Sequence, residues 1–470
     1  MKRLSIIFFL VFSVVATACN SLPHKNPGRI IYPPLRFELP EAQRVMLENG
    51  IIIYFLEDHE LPLVNISAVI RTGSAYDPEG KSGLSEITGT VMRTGGTTEL
   101  TGDEVDDELD YMASAISFSV DRESVTASLS VLKENIDRGI QIFSDILINP
   151  VFNAAKIREA QDLKIEALRR LYDNPQHLAF RELTRIIYAG NPRGELSSIY
   201  SVKNITREDI LGFYRRFFYP QNVMMAVSGD IRKDELLAIL HKYFDTWRAE
   251  GTVPSIPPPR KRQNGSISYI FKDSPQSVVV LGQIGPGKSD PDYFPFQVLN
   301  FILGGGGFNS RIVKEVRNNL GLAYSAGSFY AARKDYGVFA AYAMTKSAST
   351  AQSLSMIRSI IDDAQNIMVT EEELTWAKKS INSSFIFSFA SADQIAGQQL
   401  MIAYDGLPKD FFATYRDNIN RVSREDVKRV ALYYLSETSE SILVLGNDKK
   451  FDKPLSSFGN VKKIEVRNDR

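Results

Sequence analysis

Alternation of apolar and polar residues is clearest at Ile116, Phe118 and Val120, and it resumes at Val125, Ala127, Leu129 and Val131. A period of two puts those side chains on one face of a strand, and Arg122-Glu123 between the runs supplies a turn, so the segment is predicted as a hairpin. A second hairpin is predicted over 324–332 and 336–344. The stretches 156–172, 178–188, 351–367 and 371–387 read as helices. Strand pairs interleaved with long helices predict an α+β layer fold, an antiparallel-rich mixed sheet with helices packed on one face.

The pattern occurs twice. Ile205-Thr206-Arg207-Glu208-Asp209-Ile210 returns 217 residues later as Val422-Ser423-Arg424-Glu425-Asp426-Val427. Each copy has a hydroxyl residue followed by acids, which cap the free N–H groups of a helix start and complement its dipole. Met225-Ala226-Val227-Ser228-Gly229-Asp230 and Ile442-Leu443-Val444-Leu445-Gly446-Asn447 share the same spacing, as do Ala160 and Ala377. Three echoes at one offset predict tandem homologous domains. The stretch 251–265, with Pro254, Pro257, Pro258, Pro259 and Arg260-Lys261-Arg262, reads as the linker between them. The expected division is a first domain over 41–250, the linker, a second domain over 266–450 and a tail over 451–470.

The N-terminus bears on where the chain works. Lys2 and Arg3 precede an apolar run over 4–15, and Ala16-Thr17-Ala18 offers a small-residue cleavage site, so 1–18 is predicted as a signal peptide. Cys19, the single cysteine, follows immediately, as in a bacterial lipoprotein whose first mature residue carries the lipid. Asn20 rather than Asp stands next, which by resemblance to lipoprotein sorting implies the periplasmic side of the outer membrane of a Gram-negative bacterium. Residues 19–40, with Pro23, Pro27, Pro33, Pro34 and Pro40, read as an extended tether. One cysteine excludes a disulfide framework and a thiolate zinc cluster. A formal net charge of −1 without a long basic run argues against nucleic acid as a partner.

The expected strand pair 44–57 and 64–73, the loop 77–81, Gly83-Leu84 opening a helix, and the phrase from Asn309-Ser310-Arg311 to Gly321-Leu322-Ala323-Tyr324 together resemble the insulinase and pitrilysin peptidases. These inverzincin zinc metallopeptidases include the mitochondrial processing peptidase, and the likeness extends over 40–450, duplication included. It implies two processing-peptidase-like domains. Active members carry His-x-x-Glu-His on the helix after Gly-Leu. Imidazoles at i and i+4 share one helical face and converge on zinc, and the intervening Glu activates water. In this chain Glu86 stands for the first His, Gly89 for the Glu and Thr90 for the second His. Glycine carries no base, and threonine is a poor zinc ligand. The four histidines, His24, His59, His177 and His241, include no pair at helical spacing. The family's third ligand is a Glu on a later helix. Matched at Asp173-Asn174-Pro175, Ala167 takes its place, and Glu166 lies one residue off, a rotation of about 100°. The resemblance therefore implies a member with no cofactor and no activity of its own, with zinc expected in a partner chain. Ser85 has no His at helical spacing to activate it as a nucleophile.

Arg317 and Tyr324 resemble the family's Arg/Tyr pair, which in active members binds the peptide and steadies the tetrahedral intermediate. Guanidinium and phenol are both strong donors to a peptide carbonyl. Gly304, Gly305, Gly306 and Gly307 resemble the glycine-rich loop of the non-catalytic processing-peptidase subunit, which implies substrate contact; the Gly-Lys-Ser/Thr ending of a phosphate loop is missing. The expected function is that of a non-catalytic subunit in a heterodimeric periplasmic zinc peptidase. It would bind unfolded or short peptides through Arg317 and Tyr324 and through strand addition at a sheet edge. The alternative is a non-enzymatic scaffold or peptide-binding lipoprotein of the outer membrane.

Overall fold

Both expected hairpins form and are antiparallel, pairing Phe118 with Ala127 and Phe329 with Ala340. The computed structural model describes residues 41–261 and 265–466. The expected signal peptide, Cys19 and the whole of the tether lie outside them, as do 262–264 and 467–470. The first half contributes β1 (Gln43–Met46), β2 (Ile52–Glu57), β3 (Leu63–Ile70), β4 (Ala115–Val120), β5 (Val125–Leu132) and β6 (Val223–Gly229). The second contributes β7 (Ser266–Phe271), β8 (Gln276–Gly285), β9 (Ala323–Ala332), β10 (Gly337–Lys346), β11 (Ser441–Gly446) and β12 (Val461–Lys463). Each set makes a six-stranded sheet, in the orders β1-β2-β6-β3-β5-β4 and β12-β7-β11-β8-β10-β9. In both, a late strand (β6 or β11) enters the centre, parallel to one neighbour and antiparallel to the other.

That central strand corrects one expectation. Segments 44–57 and 64–73 are not a direct pair, because β6 lies between β2 and β3. A turn at Leu47–Ile51, closed by the Leu47 N–H on the Ile51 carbonyl at 2.9 Å, further splits 44–57 into β1 and β2. Periodicity shows which side chains share a face and says nothing about which strand lies alongside. Residues 451–470 are also more than a tail: β12 pairs with β7, and the Ile464 N–H donates to the Tyr269 carbonyl at 2.8 Å.

The first half supplies helices α1 (Leu84–Thr94), α2 (Ile136–Ile148), α3 (Ala154–Arg170), α4 (Pro175–Ile187) and α5 (Arg207–Phe217). The second supplies α6 (Thr350–Asn366), α7 (Glu371–Ile386), α8 (Ala392–Asp405) and α9 (Arg424–Tyr434). The echoed helix starts are capping boxes: Thr206 accepts from the Asp209 N–H and Ser423 from the Asp426 N–H, and each aspartate reaches back to its cap. On one face of the first sheet, Ile53, Phe55, Ile66 and Ala68 pack against Ile87, Val91, Ile140 and Phe143. The second sheet is covered alike from α6 and α9.

The other face of each sheet is closed by a helix from the opposite half. Leu178, Ala179, Leu183 and Ile187 of α4 pack on Val278, Val280, Leu443 and Leu445 of the second sheet. Reciprocally, Ala396, Leu400 and Tyr404 of α8 pack on Val69 and Ala226 of the first. The helices start 217 residues apart, at Pro175 and Ala392, so the duplication includes its own exchange. The hairpin tips then meet. Glu123 pairs with Arg193 at 2.5 Å and accepts from the Tyr336 hydroxyl at 2.8 Å, and Asp121 pairs with Arg333. Burial by itself would raise the Glu123 carboxyl, but the Arg193 and Tyr336 donors hold it below its ordinary range. Residues 251–261 of the linker carry no helix or strand, and Arg193 and Asn191 both donate to the Pro257 carbonyl.

Candidate functional site

The helix that carries the zinc motif in the resembling family is α1. Its start depends on Gly83, whose φ of +105° is a conformation that favours glycine. The Asp77 carboxylate accepts the N–H groups of Gly83 at 2.7 Å and Ser85 at 2.9 Å, satisfying donors that a helix start leaves free. Burial pushes the Asp77 carboxyl up to about 7, outweighing those two bonds, and the nearby Glu86 adds to the rise. Ser85 is buried, out of reach of a substrate.

Along α1 the motif positions separate. A Cβ on Gly89 would lie 3.2 Å from Val120 Cγ2, so the helix passes close to the edge strand β4. Thr90 is exposed and returns its hydroxyl to the Glu86 carbonyl at 2.9 Å. Glu86 turns toward α3 and forms an ion pair with Lys164. They line a cavity of about 320 Å³ together with Asp77, Ala167, Arg181 and Ser197. Ala167 thus lines the same cavity as Glu86. Glu166 pairs along its own helix with Arg170 at 2.9 Å and Arg169 at 3.9 Å.

A zinc ion needs deprotonated carboxylate, imidazole or thiolate ligands converging on it. Of the three carboxyl residues that line this cavity, Glu86 is bound to an ammonium and Asp77 to the N–H groups at the start of α1, which leaves Glu195, and no imidazole lines it. These residues do not fit a zinc ion. His59 sits between Asp230 and Glu57, His241 pairs with Asp245 at 3.0 Å, and His177 is exposed on α4. Among the described residues no three His, Cys, Asp or Glu side chains are grouped to hold a metal. His24 lies outside them.

The pair in the second half is open to solvent. Arg317 belongs to a π-helical turn, Val313–Asn319, and its guanidinium stands 5.0 Å from the Phe308 ring centre. Tyr324 is 57% exposed near the start of β9, the outer strand of its sheet, with its hydroxyl 3.4 Å from Met344 Sδ. The two engage different neighbours. The glycine run divides. Gly304 is buried, and a Cβ there would come within 2.3 Å of the Ser328 nitrogen, so close packing on β9 accounts for it. Gly306 is pressed on Trp376, whereas Gly305 and Gly307 are exposed.

Sequence reasoning missed Lys164 and Arg181. Lys164 had a readable signal, since it lies three residues before Ala167 and shares that face of α3. Arg181 had none, because α4 reaches the cavity only through its docking on the opposite sheet.

Comparison with known proteins bears on the family and the fold. The family description "Insulinase (Peptidase family M16)" matches residues 53–197, and "Peptidase M16 inactive domain" matches 204–381. The chain is 25% identical over 344 residues to a protein of Rickettsia felis named an uncharacterized zinc protease, covering 73% of this chain and 82% of that one. It is 23% identical over 401 residues to the "Non-peptidase homolog YmxG" of Helicobacter pylori, covering 85% and 92%. A crystal structure described as a peptidase M16 inactive domain from Pseudomonas fluorescens superposes with a TM-score of 0.81 at 23% identity, over 88% of this chain and all of that one. Both family descriptions are of M16 domains, and taken with the duplicated sheets these matches establish that the chain belongs to the insulinase family of M16 peptidases.

Proposed function

We propose that this chain is the non-catalytic subunit of a heterodimeric zinc peptidase in the periplasm. It holds peptide substrates while a separate zinc-bearing relative cleaves them. The observation that carries the reading is the contrast between the halves. Glu86 is occupied by Lys164 where a metal ligand would stand, while Arg317 and Tyr324 are exposed and carry donor groups. A guanidinium and a phenol directed at a peptide carbonyl hold it in place and favour negative charge developing on its oxygen. The open edges of β4 and β9 offer backbone donors and acceptors to an extended chain. Exposed Gly305 and Gly307 leave room for that chain beside β9. A lipid on Cys19 would keep the pair at the outer membrane, and Cys19→Ala is expected to move the protein into the soluble periplasmic fraction.

The test mixes the purified chain with its zinc-bearing relative and follows cleavage of an unfolded peptide. Hydrolysis is expected only from the mixture. Arg317→Ala is expected to slow it about a hundredfold, the usual cost of losing one transition-state donor. Unchanged hydrolysis with Arg317→Ala would refute the role. Full activity of the relative by itself would leave the non-enzymatic scaffold as the better reading.

A further inference from the structure

A cavity of about 490 Å³ opens between α4 and the β9–β10 hairpin, apart from the α1 site. Its walls are aromatic: the Phe180 ring centre is 5.7 Å from that of Phe329 and 5.8 Å from that of Tyr342. Phe329 nevertheless stays 40% exposed, so apolar surface is left uncovered. No acidic residue lines the cavity, and its charged groups are Arg122 and Arg333. Arg333 is neutralised by Asp121. Arg122 is different: among the described residues no carboxylate forms an ion pair with it. Its guanidinium lies 5.5 Å from the Tyr188 ring centre, and its hydrogen bond to Thr184 Oγ1 is long, at 3.4 Å.

The open edge of β9 adds direction. Alternate residues of an outer strand send their N–H and C=O groups outward. A peptide added there would place every second side chain on the face bearing Phe329 and Ala331, both of which line the cavity. An aromatic pocket next to an unpaired guanidinium matches an apolar side chain and a carboxylate carried by the same residue. We propose that this cavity binds the C-terminal residue of a peptide, its large apolar side chain between Phe180, Phe329 and Tyr342 and its terminal carboxylate on Arg122. The inference rests on the peptide-binding reading above and names the class of peptide held.

The test measures fluorescence anisotropy of the full chain with a labelled extended peptide ending in phenylalanine, as the free acid and as the amide. The acid is expected to bind about tenfold more tightly, as for one charge-assisted pair. R122Q is expected to abolish the difference, and A331W, at an exposed position, to weaken the acid by filling the pocket. Equal affinity of acid and amide would overturn the proposal, as would a difference that survives R122Q. An amide restored by a glutamate beside its phenylalanine would assign Arg122 to an internal acid and overturn it too. If acid and amide bind equally and Arg317→Ala weakens both, peptide binding stands and this inference fails. If neither binds, both fail.

Discussion

Asp77 shows how a single residue ties the fold to the site. It accepts two N–H groups at the start of α1 and is buried there, with its carboxyl raised from 3.8 to about 7. The unfolded chain gives up this proton near its ordinary value, whereas the folded chain keeps it longer. The stabilisation is therefore complete below about 3.8 and is lost as the pH rises through about 7. Asp77→Asn cannot titrate and keeps one acceptor oxygen. Urea unfolding between pH 4 and 7 is expected to show a smaller decline for this variant than for the natural protein; parallel declines would contradict the burial argument. At this scale the sequence was informative about what α1 lacks. Gly89 and Thr90 could be read directly, whereas the Glu86–Lys164 pair could not, because it joins two helices whose separation only the folded packing fixes.

Elements were legible where their signals are local. The first hairpin follows from its period-two runs, and the helices α5 and α9 from their hydroxyl-and-acid starts. Thr206→Ala and Ser423→Ala each remove a cap that the structure contains, and each is expected to cost about 1 kcal/mol in denaturant unfolding. The sites lie in different halves, so the double variant should lose close to the sum. A double variant no less stable than either single one would mean the caps are not formed. What local signals could not show is the insertion of β6 between β2 and β3, or the partner of the apolar face of α4. Leu183 looks like any core leucine in the sequence, yet it packs on Val278 and Val280 of the other half. Leu183→Ala is expected to cost about 2–5 kcal/mol, as for other buried leucines.

For the whole molecule, the exchange of α4 and α8 predicts cooperativity. Each half lacks the helix that closes one face of its own sheet, so neither buries its apolar surface alone. Calorimetry is expected to show one transition, and a chain cut within 251–261 to remain associated as a two-fragment complex. Two separate transitions, or fragments that fold and stay apart, would contradict the exchange. Joined in this way, the halves present an α1 site filled by an ion pair and an open Arg/Tyr pair, and the proposed division of labour with a zinc-bearing partner rests on that difference. The most direct test is equilibrium dialysis of the purified chain against zinc, with metal counted per chain and Glu86→Ala as control. No stoichiometric zinc is expected in either protein; one tightly held zinc per chain, lost in Glu86→Ala, would contradict the assignment.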